Sequence, residues 1–291
     1  MSTVERAGQD TFGELLPLLR RFPGTRLADD DWRHMLFEPP WPIEETQRGF
    51  VLRVAGEGPV GFLGTLFSSR PIAGRVRRFC HLSSWFVDQA HRSESLRLVL
   101  PVLALREHTL VNMSASEAAH EIFVRLGFQE LETAQILIPV GLDPRALGRS
   151  ARISAIRDPR RLDEGLPESV RTIVADTIGT RARLVQLTDG SSRCLVVATR
   201  SPWKPGLPLA QIEYASDWDL FSEWHTRAAL AFLRMLGTVG LRVDRRHWRR
   251  RVPAFATERP LLRPHLYRPA EPDLTPELVD GLYSERLNQR W

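Results

Sequence analysis

The stretch that decides the fold runs from residue 85 to residue 97 and reads WFVDQAHRSESLR. Its first three residues, Trp85, Phe86 and Val87, have the apolar character of a strand, and the polar residues after them predict a turn followed by an amphipathic helix. The first amides of a helix have no partner inside it, and the helix dipole places positive charge there. The stretch therefore predicts a phosphate-binding site where the strand meets the helix.

A second informative fragment runs from residue 114 to residue 128 and reads SASEAAHEIFVRLGF. Ser114 and Glu117 have the spacing of a capping box, and an apolar stripe follows at helical intervals. Gly127 is suited to the left-handed residue that ends a helix, and Phe128 begins the next strand. The fragment predicts a second strand-turn-helix unit about thirty residues after the first.

The first 142 residues give the order β-α-α-β-β-β-α-β-α-β. The predicted strands after the opening one cover residues 50–55, 60–67, 76–87, 109–113 and 128–140, and the predicted helices after the first cover 29–37, 95–107 and 114–126. Gly56 and Gly58 lie between the first two of these strands and predict a hairpin.

The two fragments resemble the acyl-CoA-binding core of the GNAT superfamily, the N-acetyltransferases that use acetyl-CoA. In that family a strand leads into an R/Q-x-x-G-x-G/A turn whose amides bind the cofactor pyrophosphate, and Arg92, Ser95 and Arg97 stand at its three defined positions here. The second family pattern is N-x-x-A-x-x-x-Y-x-K-x-G-F, which this chain matches with Ser116, Ala119, Phe123, Arg125, Gly127 and Phe128. The resemblance covers roughly residues 1–142.

This resemblance implies that acetyl-CoA or another acyl-CoA binds as a substrate, without a metal. The cofactor-binding residues that it implies are Trp85, Phe86, Val87, Arg92, Ser93, Glu94, Ser95, Leu96, Arg97, Ser116 and Phe123. Glycine in the turn allows phosphate to approach the backbone closely. Ser95 adds a hydroxyl donor there, Arg97 adds bulk and a guanidinium, and Glu94 adds an unfavourable negative charge.

The catalytic candidate is His81. Some family members place a glutamate base eleven residues before the first turn position, which is His81 when counted from Arg92, and an imidazole is a suitable base near neutral pH. Strand alternation predicts that His81, Ser83 and Trp85 share one face. The alternative is that His81 is a structural, hydrogen-bonded strand histidine. The family tyrosine that protonates the leaving thiolate is replaced by Phe123, which has no proton to donate.

The second half repeats part of the pattern. A linker at 143–164, rich in Arg, Gly and Pro, precedes a predicted β-β-β-α-β order within residues 165–291. We interpret this as a degenerate GNAT-like copy, so that the fold class is α/β (α+β), a mixed sheet flanked by helices in two tandem related units. Asp217 and Asp219 at its helix start would repel phosphate, and residues 274–291 are expected to form a docking helix.

The GNAT resemblance implies an acyltransferase that moves an acetyl or acyl group directly from CoA to a small-molecule amine. Two alternatives stay open. One is a long-chain N-acyltransferase that uses acyl-CoA or an acyl carrier protein. The other is an inactive scaffold or binding protein, which Ser95, Arg97 and Phe123 favour. A groove beside Val87 that is filled by Arg97 and Trp85 would support the scaffold.

Composition excludes several other classes. The chain has 291 residues, 43% of them hydrophobic, with no apolar run long enough to span a membrane, so we expect a bacterial-type cytoplasmic protein. Lys204 is the single lysine among 40 basic residues, a bias typical of a GC-rich genome, so the net charge does not by itself predict nucleic-acid binding. The arginine cluster at 245–251 is expected to be a solvated segment. Cys80 and Cys194 lack metal-ligand spacing and are expected to be buried thiols.

Overall fold

The computed structural model describes residues 1–23, 27–141, 152–156 and 166–288. The strands of these ranges are β1 (Ser2–Ala7), β2 (Gly49–Val54), β3 (Gly58–Ile72), β4 (Arg75–Val87), β5 (Thr109–Asn112), β6 (Gln129–Pro139), β7 (Arg152–Ile156), β8 (Arg183–Thr188), β9 (Arg193–Lys204), β10 (Leu207–Ala215), β11 (Gly240–Asp244) and β12 (Thr257–Arg268). The helices are α1 (Phe12–Leu19), α2 (Asp29–Trp32, continued as a π-helix over Arg33–Phe37), α3 (Leu96–Leu103), α4 (Glu117–Arg125), α5 (Glu168–Thr177) and α6 (Trp218–Leu236).

The described residues form two compact units. Unit 1 contains residues 1–129, 265–274 and 283–288, and unit 2 contains the described residues of 130–264 and 275–282. None of the described helices has both the length and the apolar character that a membrane span requires.

Unit 1 has the strand order β1-β2-β3-β4-β5, followed by the end of β12. Neighbouring strands are antiparallel except β4 and β5, which are parallel because the crossover helix α3 joins them. The β3–β4 hairpin closes through Ala73 and Gly74, both at positive φ, as a tight hairpin turn requires. One face of this sheet packs against apolar side chains of α3 and α4, including Leu98, Val102 and Phe123.

A bulge interrupts β4 at Ser84. The register between β3 and β4 shifts there, and Ser84 has a φ of 56°. An extra residue in a strand reverses the alternation of side chains beyond it. Trp85 consequently packs in the same apolar cluster as Cys80 and Leu82. The prediction that Trp85 shares a face with His81 is therefore wrong, because simple alternation ignores the bulge.

Unit 2 has the strand order β6-β11-β10-β9-β8-β7, with β10 and β11 parallel. The predicted β-β-β-α-β order is confirmed by β8, β9, β10, α6 and β11. The core of the unit lies between this sheet and the apolar face of α6, which carries Phe221, Trp224 and Phe232. At the start of α6 the Asp217 carboxylate accepts hydrogen bonds from the amides of Asp219 and Leu220, each at 2.9 Å. A side-chain carboxylate thus occupies the amides that a phosphate would need.

Three segments differ from what the sequence predicts. Strand β12 was not predicted, because Pro260 and Pro264 are residues that interrupt strand patterns. The docking helix predicted at 274–291 is wrong for the described residues, which form only short 3₁₀ turns at Pro276–Leu278 and Glu285–Leu287. Within the predicted linker, Arg152–Ile156 form β7, and the rest of that linker lies outside the described residues.

Two strands also take unexpected places. Strand β6, the last predicted strand of the first half, pairs with β11 in unit 2. In unit 1 the place beside β5 is taken by the end of β12, where Leu266–Arg268 pair with Leu110–Asn112. The domains predicted at 1–142 and 165–291 stay a prediction.

Candidate active site

Strands β4 and β5 run side by side for a short distance and then separate. Their parallel pairing covers Phe79–His81 of β4 and Thr109–Val111 of β5. Beyond His81, β4 continues to Val87 without a strand partner on its β5 side in the described part of the chain. Because no described strand pairs with that edge, an extended ligand can add to β4 there in the way that a further strand would.

The end of β4 leads into the turn for which the sequence predicts phosphate binding. Gln89–Glu94 form a 3₁₀ turn, and α3 begins at Leu96. The amides of His91 and Ser95 donate to backbone carbonyls within this turn region. Leu96 and Arg97 are the first two residues of α3 and lie at the positive end of its dipole. An anion bound at this helix start would be stabilised by that dipole.

Charges beside the turn are partly neutralised. Arg97 Nη1 donates to Glu94 Oε2 at 2.6 Å and Nη2 donates to the Ser2 carbonyl at 3.0 Å. Ser2 Oγ donates to the same Glu94 oxygen, and the hydrogen bonds from Ser2 and Arg97 hold the pKa of Glu94 below its usual value. Arg97 is thus tied to β1. Arg92 and Ser93 are exposed, and the Arg92 side chain makes no hydrogen bond or ion pair with the described residues.

Ser116 caps the start of helix α4. Its Oγ accepts a hydrogen bond from an amide in the first turn at 3.3 Å, so the capping box predicted to begin at Ser114 is wrong. The reason is that Asn112 Oδ1 holds the Ser114 amide at 3.0 Å, which extends the turn after β5. The Ser114 hydroxyl instead donates to Glu285 Oε1 at 2.7 Å.

Phe123 belongs to an aromatic cluster and is fully buried. Its ring centroid lies 5.4 Å from that of Trp85 and 4.8 Å from that of Phe128. On the other side of β4, the Phe86 ring contacts Phe22 edge to face. Of the two side chains expected to fill the groove, Trp85 packs against Phe123, and Arg97 is bound to Ser2 on β1.

His81 lies where β4 and β5 separate. It is 2% exposed, and its Nδ1 has no hydrogen-bond partner among the described residues. Burial, assisted by the charges of Arg70 and Arg286, lowers the pKa of His81 to about 3. The imidazole is therefore neutral near pH 7 and takes a proton poorly from an ammonium group, whose pKa is roughly 10. Its role as the base stays a prediction, and this pKa argues against it.

The C-terminal segment Tyr283–Asn288 packs close to His81, which nothing in the sequence indicated. The Tyr283 ring lies edge to face with Trp41 at a centroid distance of 5.5 Å. Arg286 Nη1 contacts Met113 Sδ at 3.4 Å. Glu285 is buried, and this burial raises its pKa although the hydrogen bond from Ser114 acts in the opposite direction.

Other residues that the sequence analysis singled out lie away from this site. Cys80 and Cys194 are buried free thiols, as predicted, and burial raises the pKa of both. His225 is buried in α6, and its Nδ1 lies 2.9 Å from the carbonyl oxygen of Ser222. In the arginine cluster, Arg249–Arg251 are exposed, but Arg246 is buried in an ion pair. Across the described ranges, no group of three or more His, Cys, Asp or Glu side chains is arranged to hold a metal.

Solved structures share this architecture, although no family model and no curated protein matches the sequence. A GCN5-related N-acetyltransferase from Anabaena variabilis superposes with a TM-score of 0.58 at 10% identity, over 93% of this chain and 73% of that one. A GCN5-related N-acetyltransferase from Kribbella flavida superposes with a TM-score of 0.58 at 16% identity, over 93% of this chain and 72% of that one. A candidate acetyltransferase from Pyrococcus horikoshii superposes with a TM-score of 0.58 at 12% identity, over 99% of this chain and 96% of that one. The chain therefore has the fold of the GCN5-related N-acetyltransferases, a mixed sheet flanked by helices, as its two sequence fragments predict.

Proposed function

We propose that this protein is a CoA-dependent N-acyltransferase that moves an acetyl or longer acyl group directly to an amine. The observation that carries the proposal is the separation of β4 and β5 beyond His81. The free side of β4 leads to the start of α3 at Leu96. An extended pantetheine chain would follow that edge, and the pyrophosphate would reach the positive end of α3.

Within this proposal the turn supplies positive charge and hydrogen-bond donors. Arg92 is the exposed cation beside the phosphates, and the hydroxyls of Ser93 and Ser95 are further donors. The ion pair with Arg97 reduces the repulsion that Glu94 would exert on a phosphate. The backbone of Trp85–Val87 is the edge along which the acyl arm would lie. On the α4 side Ser116 is exposed, and the buried Phe123 supports Trp85 from behind.

The reaction joins the amine nitrogen to the thioester carbonyl carbon and releases CoA thiolate. A backbone amide of β4 near the bulge would stabilise the developing oxyanion, as preorganised amides do in acyl transfer. Phe123 cannot protonate the thiolate, so the proton must come from another group or from water. The buried packing of Phe123 against Trp85 is also the observation that favours the second candidate, an inactive binding protein with this fold.

Calorimetric titration of the full chain with CoA and acetyl-CoA tests the binding step. We expect one molecule per chain, since Asp217 occupies the corresponding amides of α6 in unit 2. No heat and no thermal shift at millimolar ligand would overturn the proposal.

Thiol release tests the chemistry. Acyl-CoA donors of increasing chain length and acyl-loaded carrier protein are each supplied with a panel of small amines. Release of CoA that depends on an amine supports the enzyme. A preference for long chains or for the carrier protein supports the long-chain alternative, and binding without turnover supports the inactive protein.

A further inference from the structure

Glu285 is a buried carboxyl group that the proposed reaction does not yet use. Its side chain is 3% exposed. One oxygen, Oε1, accepts the 2.7 Å hydrogen bond from Ser114 Oγ, whereas Oε2 has no hydrogen-bond partner among the described residues. A buried carboxylate oxygen without a donor is costly, so its retention requires a reason.

The position of this carboxyl group is defined by β5. Val111 of β5 pairs with His81, the last pair before β4 and β5 separate, and Ser114 follows three residues later. Ser114 holds Glu285, and the next residue, Arg286, is close enough to His81 to lower its pKa. Glu285 therefore lies near the point where the two strands part, which is where the acyl group would be in the proposed function.

The charges near His81 and Glu285 act differently on these two candidate bases. Arg70 of β3 lies between the rings of Phe79 and Tyr283, with distances of 5.1 and 6.0 Å to their centroids. Arg70 and Arg286 are the cations that disfavour the protonated form of His81. Burial raises the pKa of Glu285 above its usual acidic value, and the charge of Arg286 acts in the opposite direction by favouring the carboxylate. A carboxyl group with a raised pKa accepts a proton more readily than one at its usual value, which suits a general base.

We propose that Glu285, and not His81, takes the proton from the acceptor amine, and that Ser114 positions its carboxyl group; this inference rests on the acyltransferase function proposed above. An ammonium acceptor gives one proton to the Glu285 carboxylate and becomes a free amine. The amine nitrogen bonds to the carbonyl carbon, the carbon–sulfur bond breaks, and the second nitrogen proton passes to the thiolate, directly or through water. Glu285 then returns its proton to the solvent. The net products are the amide, free CoA thiol and one proton.

Steady-state kinetics of the full chain test the inference, with acetyl-CoA and the best amine of the panel. Glu285→Gln should lower kcat/KM by about a hundredfold, the usual size of a general-base contribution, with a CoA Kd within twofold of the wild type. Glu285→Asp should recover part of the rate. His81→Gln should lose less than tenfold. Glu121→Gln, an exposed carboxyl group on α4, is the matched control and should be unchanged.

The pH profile separates a proton-transfer role from a structural one. Ser114 stabilises the Glu285 carboxylate, so Ser114→Ala should move the acidic limb of kcat/KM to higher pH, and Glu285→Gln should remove that limb. A Ser114→Ala profile with an unmoved limb would overturn the inference, as would full turnover by Glu285→Gln. Failure of the wild-type chain to bind CoA would overturn the acyltransferase proposal and this inference together. Normal CoA binding with unaffected Glu285 variants would overturn this inference alone.

Discussion

Replacing Arg92 by alanine should weaken CoA binding, whereas replacing Glu94 by glutamine should strengthen it. Arg92 is exposed and makes no ion pair with the described residues, so its charge is available to a phosphate. An exposed charged pair contributes up to about 1 kcal/mol, which corresponds to roughly a fivefold change in Kd. Glu94→Gln removes a negative charge and frees Arg97 from the 2.6 Å ion pair. We expect an effect of similar size and opposite sign.

Calorimetry at low and high salt measures both effects. Both should shrink at 0.5 M salt, at which the screening length is roughly half its physiological value. Arg125→Ala is the matched control, because this side chain is 81% exposed on α4 and, among the described residues, its only ion pair is a long one to Glu121 at 3.9 Å. Weaker binding by Glu94→Gln, or equal Kd values for Arg92→Ala and wild type, would refute the placement of phosphate at the start of α3.

Three further predictions concern stability. The pKa of His81 is lowered to about 3, so the unfolded state binds more protons below pH 6.5. Between pH 6.5 and the lowered pKa, the unfolding free energy should therefore fall by roughly 1.4 kcal/mol for each pH unit of acidification. Urea titrations of His81→Gln should show a smaller loss of unfolding free energy over the same pH range. Ser84 has a positive φ, which glycine adopts without strain, so Ser84→Gly should leave the unfolding free energy unchanged or raise it. Ser83→Gly should lower it by about 0.5–1 kcal/mol. Equal losses for the two variants would contradict the bulge at Ser84. Asp217→Ala should cost about 1 kcal/mol by thermal unfolding, since it removes the cap of α6.

Most of the fold could be predicted because its elements carry local patterns. The length of β4 and the amphipathic period of α6 are properties of contiguous residues. Strand β4 was predicted over 76–87 and runs from Arg75 to Val87. The bulge at Ser84 could not be predicted, since serine is not a residue that favours positive φ. One undetected residue was enough to place Trp85 on the wrong face.

The sequence predicted the turn of the candidate site but not the contacts that distant residues make there. The turn at Arg92–Arg97 is local, and its resemblance to a known pattern located it. The contact between Ser114 and Glu285 joins residues that are 171 positions apart, and no periodicity or motif connects such a pair. Glu94 and Arg97 are only three residues apart in the sequence, but Ser2, which also bonds Arg97, lies in β1, 95 residues earlier. That contact depends on tertiary packing.

The pairing of β5 with the end of β12 has a consequence for how the chain is made. Strand β5 ends at Asn112, but the residues that complete its second edge, Leu266–Arg268, are translated much later. At synthesis rates of about 5–20 residues per second, that edge stays without its native partner for roughly 8 to 30 seconds. Unprotected strand edges pair with other chains. During translation this protein therefore exposes an aggregation-prone edge that a fold completed in chain order would have covered early.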